Sequence, residues 1–183
     1  MITGGMSSNT VPSPSSSALK SLMPKKSPRS STRMVRLQKN SCFVCGQDNE
    51  SGLKLRFRYD KARDCYVCRF RLDDRFMGPP GYVHGGIVAT ILDEVMGKVN
   101  KIHNVVALTR AMKIDYLTPV PLNQPLRAEG HSVSVEGRKH TNCGEILNSK
   151  GEVLARGEAL FIAIDVDRMF GKPATRAGLP AKS

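Results

Sequence analysis

Residues 83–99 read Val-His-Gly-Gly-Ile-Val-Ala-Thr-Ile-Leu-Asp-Glu-Val-Met-Gly-Lys-Val, and the way this stretch folds decides the rest of the chain. Ile87, Val88, Ile91, Leu92, Val95, Met96 and Val99 recur at helical spacing and form one apolar stripe. The other face reads Gly86, Ala89, Thr90, Asp93 and Gly97, small residues apart from a single carboxylate. Small residues let another backbone or a ligand approach closely. A helix with both kinds of face is expected to be covered on most sides, which would put Asp93 mid-helix in a largely dry setting. Glu94 points about 100° away from it around the helix.

Upstream, Leu53 to Tyr59 alternates apolar and basic residues, the pattern of a strand with one buried and one wet face. Cys65 to Leu72 alternates in the same way, and the short link between them, Asp60 to Asp64, predicts a hairpin. Met77-Gly78-Pro79-Pro80-Gly81 is a loop. Downstream, four strands are predicted at about Val105–Tyr116, Leu126–Val135, Lys139–Asn148 and Val153–Ile164. Turn signals separate them at Pro119-Val120-Pro121, Glu136-Gly137 and Lys150-Gly151. Two strands, one long helix and four strands make an α+β arrangement with an antiparallel sheet.

The chain has 183 residues, enough for one domain and a tail. No apolar run approaches the roughly 20 residues that span a bilayer. The net charge of +12 points at first to nucleic acid. Seven of the 28 basic residues, however, lie between Met1 and Lys39, where no acid occurs. That leaves 21 basic against 16 acidic residues in the rest, a surplus of five. Such a surplus suits an anionic ligand as well as RNA. Residues 1–39 are rich in Ser, Pro and basic residues and are expected to be a disordered tail. A mitochondrial transit peptide and translation from Met34 are the other readings of that segment. Residues 40–168 form the expected domain and residues 169–183 a flexible C-terminal tail. Five cysteines without a secretory signal point to a reducing, cytoplasmic setting.

Several segments together resemble one family. Cys42-Phe43-Val44-Cys45-Gly46, Gly52-Leu53-Lys54-Leu55, Val83-His84-Gly85-Gly86 with Asp93, Thr109, Ile114 to Leu122, and Val135-Glu136-Gly137-Arg138-Lys139 are similar to the PaaI-type branch of the hotdog-fold acyl-CoA thioesterases. The resemblance covers about Cys42 to Asp165. It implies a curved antiparallel sheet wrapped around one long central helix, and a homodimer or dimer of dimers with active sites at the subunit interface. It also implies hydrolysis of acyl-CoA thioesters, as in fatty acid metabolism, with no metal, no cofactor and no nucleic-acid partner.

The residues agree with that chemistry. The first N–H groups of a helix have no intrahelical acceptor and carry partial positive charge. Gly85, lacking a side chain, leaves its N–H open to polarise a thioester carbonyl. Asp93 would act as general base on water or as nucleophile. It lies roughly 12 Å further along the axis at about 1.5 Å per residue, too far for both groups of one chain to grip one carbon. Gly85 from one subunit and Asp93 from the other is therefore expected. Thr109 would hold the water or orient the carboxylate, and His84 would shape the helix start and the carbonyl site. Gly86 and Glu94 are expected against the substrate, with Glu94 as fallback base. Arg138 and Lys139 are expected near the phosphates of CoA.

Two other readings stand beside this one. A non-catalytic acyl-CoA-binding protein would use the same fold, since fold does not fix activity. Cys42-x-x-Cys45 and Cys65-x-x-Cys68 also have the spacing of a zinc ribbon, and hence of a nucleic-acid-binding module. Residues three apart on a strand face opposite ways, so Cys65 and Cys68 are not expected to share an ion.

Overall fold

The computed structural model describes residues 40–171. The expected N-terminal tail, residues 1–39, and residues 172–183 lie outside the described residues. Strands β1 (Arg58–Asp60) and β2 (Cys65–Phe70) precede helix α1 (Gly85–Val99). Strands β3 (Ala107–Tyr116), β4 (Leu126–Glu136), β5 (Lys139–Leu147) and β6 (Val153–Ala163) follow it, and a short helix α2 (Val166–Phe170) comes last. All six strands form one antiparallel sheet in the order β1-β2-β4-β5-β6-β3.

The helix starts where the sequence puts it. His84 is its N-cap, and the ring Nδ1 accepts from the Gly86 N–H at 2.9 Å. Val88, Ile91, Leu92, Val95, Met96 and Val99 are buried and pack on the sheet, while Ile87 is half-buried against the same core. Three glycines explain how the helix comes so close. Gly130 on β4, Gly144 on β5 and Gly157 on β6 lie in register across the sheet. A Cβ at Gly130 would meet the Val95 carbonyl oxygen at 2.7 Å, and one at Gly144 the Met96 Cγ at 2.9 Å. The helix thus sits in a trough that side chains would fill. Asn142 Nδ2, wholly buried, donates to the Met96 carbonyl at 2.9 Å and to Asn100 Oδ1 at 3.0 Å. It gives a helix-end carbonyl the partner that end groups otherwise lack.

One expectation needs correction. The predicted first strand, Leu53 to Tyr59, pairs as a strand only from Arg58. Lys54 takes a left-handed backbone (φ 53°), and the Leu53 and Leu55 N–H groups donate to the carbonyls of Phe43 and Val44 instead, both at 2.8 Å. The alternation correctly marks Leu55 as buried, but the partner is the Cys42–Gly46 loop rather than a strand. Beyond β6, Asp165 caps α2 by accepting from the Arg168 N–H at 3.1 Å. The small-residue face of α1 is half-buried apart from the exposed Gly86, because the sheet covers the opposite side of the helix.

Candidate active site

Asp93 projects from the small-residue face of α1 toward β3. Thr109 Oγ1 on β3 donates to Asp93 Oδ1 at 2.7 Å. A bulge places that hydroxyl. In the β3–β6 pairing Thr109 lies opposite Phe161 and Ala111 opposite Leu160, so Arg110 is an extra residue. Bulges re-aim neighbouring side chains and are common beside active sites. The two residues stand at the wall of a cavity of about 530 Å³, also lined by Gly97, Ala107, Leu108 and Phe161. This volume lies in the range of small-molecule sites. The apolar wall suits an acyl chain, and the Asp93–Thr109 pair is its polar feature nearest β3.

The same cavity is lined by Glu94, Lys98 and Lys101. Lys98 Nζ forms an ion pair with Glu94 Oε1 at 2.6 Å and donates to Cys45 Sγ at 3.1 Å. Burial alone would lower the Lys98 pKa, but the hydrogen bond and charge of Glu94 outweigh it and the ammonium is held more firmly. Burial, helped by the neighbouring Glu94, pushes the Cys45 thiol up to about 11. Glu94 is thus engaged by a lysine and is a poor candidate for the fallback base.

The other expected residues gather elsewhere. His84, Gly85 and Gly86 stand at the N-terminal tip of α1. Gly85 lines a second cavity of about 290 Å³ with Tyr82, Val88, Tyr116 and Pro119. Among the first-turn donors, the Gly86 N–H is taken by the His84 ring, and those of Ile87 and Val88 by the His84 carbonyl at 2.9 and 3.2 Å. Gly85, the remaining residue of that turn, lines the cavity itself. Tyr116, unassigned by sequence reasoning, donates from its hydroxyl to the Gly85 carbonyl at 3.2 Å. Arg138 and Lys139 reach neither cavity. Arg138 lines a separate surface cavity with Arg168, and its Nε donates to the Ala163 carbonyl at 2.9 Å. The basic groups that share the cavity with Asp93 are Lys98 and Lys101. Their spacing from Glu94, four and seven residues on, was the available signal.

The zinc-ribbon reading does not survive the geometry. Cys65 and Cys68 are both fully buried, and neither joins a cluster of metal-ligating side chains among the described residues. No helix among those residues is long and apolar enough to cross a membrane.

One long helix packed against a curved antiparallel sheet of this order is the hotdog arrangement. Residues 80–155 match the sequence profile of the thioesterase superfamily. It is 30% identical over 133 residues to acyl-coenzyme A thioesterase THEM4 of Rattus norvegicus, an alignment covering 72% of this chain and 57% of that protein. The chain thus spans little more than half the length of that relative. A crystal structure of a thioesterase superfamily protein superposes with a TM-score of 0.64 at 32% identity, covering 67% of this chain and 60% of that one. A hypothetical thioesterase from Streptococcus pneumoniae TIGR4, solved with coenzyme A, superposes at TM-score 0.54 and 21% identity, over 59% and 88% of the two chains.

Proposed function

We propose that the protein is an acyl-CoA thioesterase that works as a homodimer or a dimer of dimers. One observation carries the reading: the Asp93 carboxylate, held by the Thr109 hydroxyl at 2.7 Å, stands in the wall of a largely apolar cavity. The relative named as an acyl-CoA thioesterase and the neighbour solved with coenzyme A support the substrate class. In the proposed step Asp93 takes a proton from a water as that water attacks the thioester carbon, and CoA leaves as the thiol. Direct attack by the carboxylate, followed by hydrolysis of the resulting anhydride, uses the same placement. The carbonyl oxygen accepts from the Gly85 N–H, an interaction worth about 3 kcal/mol in better-studied hydrolases.

The two groups come together across a subunit boundary in this proposal. Strand β3 has β6 on one side and, among the described residues, no strand on the other. It is ten residues long and exposes Leu108, Met112 and Tyr116. A long uncovered edge is a template for another chain. Thr109, near one end of β3, touches Asp93, while Tyr116 at the other end touches Gly85. Antiparallel pairing of two such strands about their middle would bring each helix tip toward the other protomer's Asp93.

The test is a panel of aryl, medium-chain and long-chain acyl-CoA substrates followed by free-thiol release, with Asp93→Ala beside wild type. Loss of Asp93 is expected to lower kcat on the order of 10²–10⁴-fold, the range for a general base, with folding and oligomeric state unchanged. Equal turnover in the variant would remove Asp93 from the mechanism. Binding of CoA without turnover in wild type would make the protein a non-catalytic acyl-CoA binder.

A further inference from the structure

The Cys42–Gly46 loop plays no part in the hydrolytic scheme, yet its two thiols converge on α1. Cys42 Sγ, Cys45 Sγ and a carboxylate oxygen of Glu94 all lie within 4.8 Å of one another. The Cys42 thiol donates to Glu94 Oε2 at 3.9 Å. We propose that Cys42, Cys45 and Glu94 hold one structural zinc ion that pins this loop to α1 beside the cavity. The proposal is independent of the hydrolytic reading, and the ion takes no part in the thioester step. It departs from the family expectation of a metal-free protein.

Three features carry it. The first is the loop's shape. The Gly46 N–H donates to the Cys42 carbonyl at 2.9 Å. A Cβ at position 46 would meet the Cys42 carbonyl oxygen at 2.4 Å and that of Asn40 at 2.5 Å. The chain is wound so tightly there that the two sulfurs come to one side, as Cys65 and Cys68 do not. The second is the third ligand, which comes from a helix some fifty residues away rather than from the loop itself. Tetrahedral zinc with bonds of about 2.3 Å to sulfur and 2.0 Å to oxygen needs S···S near 3.8 Å and S···O near 3.5 Å. The present separations reach those values by rotation of the side chains, and a water completes the four positions.

The third feature is that the cluster already holds a cation. Lys98 Nζ lies 2.6 Å from Glu94 Oε1 and 3.1 Å from Cys45 Sγ. A divalent ion would displace this ammonium and compensate two thiolates and a carboxylate together. Thiolate ligands select zinc over magnesium or calcium. Binding releases the two thiol protons, while Lys98 stays protonated and turns into the cavity it already lines.

The experiment uses the full chain, purified without chelator and dialysed against metal-free buffer. Elemental analysis is expected to find one zinc per chain. Cobalt(II) added to the stripped protein should give sulfur-to-cobalt charge-transfer absorption. Cys42→Ser and Cys45→Ser should each abolish that absorption, and Glu94→Gln should retain it with at least ten-fold weaker binding. Should the cysteine variants fail to fold, alkylation of the wild type with iodoacetamide decides. Zinc should then protect Cys42 and Cys45, as read by peptide mass. Absence of cobalt–sulfur absorption in the wild type, retention of the band in the Cys42→Ser/Cys45→Ser double variant, or equal alkylation with and without zinc would each overturn the site.

Discussion

A methyl group at position 85 would meet nothing nearer than the Tyr116 ring, at 3.7 Å, an ordinary contact. The packing of one chain therefore gives no reason for glycine there. If the reason is the approach of a thioester carbonyl, Gly85→Ala should leave the melting temperature within a degree or two of wild type and lower kcat/KM roughly ten-fold or more. Small displacements of reacting groups can cost about a hundred-fold. Equal activity in the variant would mean that the carbonyl docks elsewhere. At this scale the sequence was half legible. Asp93 stood out because it is the lone carboxylate on a face of small residues. The direction of Thr109 did not, because a bulge at Arg110 sets it, and a bulge leaves no mark in an alternating pattern. Lys98 and Lys101 were hidden for a different reason: charges on a helix ordinarily mean a solvated face.

The elements after the helix were read to within two residues at each end, because their turns demand particular chemistry. Gly137 and Gly151 both adopt positive φ, at 59° and 84°, where other residues are strained. The glycine trough under α1 could not be read from sequence, since the register that aligns Gly130, Gly144 and Gly157 exists only once the strands pair. The trough makes a prediction of its own. At Gly130 the obstacle is the Val95 carbonyl, a backbone atom that cannot rotate away. Gly130→Ala should therefore destabilise by about 1–3 kcal/mol, as overpacking does. Gly97→Ala, on the helix itself, meets only a Phe161 ring carbon at 3.6 Å. Helix propensity should then dominate and stabilise by about 0.5–1 kcal/mol. Denaturant unfolding of both variants checks the pair, and the same sign for both would deny that close helix approach is what the Gly130 position serves.

For the whole molecule the question is whether one protomer is a complete enzyme. In one chain the helix tip and the carboxylate face different cavities, so an interface that joins them makes a specific demand on mixtures. In an isologous dimer each site would take its Gly85 from one protomer and its Asp93 from the other. Gly85→Ala and Asp93→Ala, each impaired alone, should therefore complement when co-refolded in equal amounts. Every heterodimer would contain one site with both defects and one with neither. Random pairing makes half the dimers mixed, so turnover should recover to about a quarter of wild type. If each site belongs to a single chain, every site in the mixture carries one defect and nothing recovers. Placing both substitutions in one chain and mixing it with wild type separates the cases again. Cross-subunit sites then lose one partner in every site of the mixed dimers, whereas self-contained sites leave the wild-type half untouched. Recovery in the first mixture together with loss in the second requires an active site assembled from two copies, and any other combination rules that assembly out.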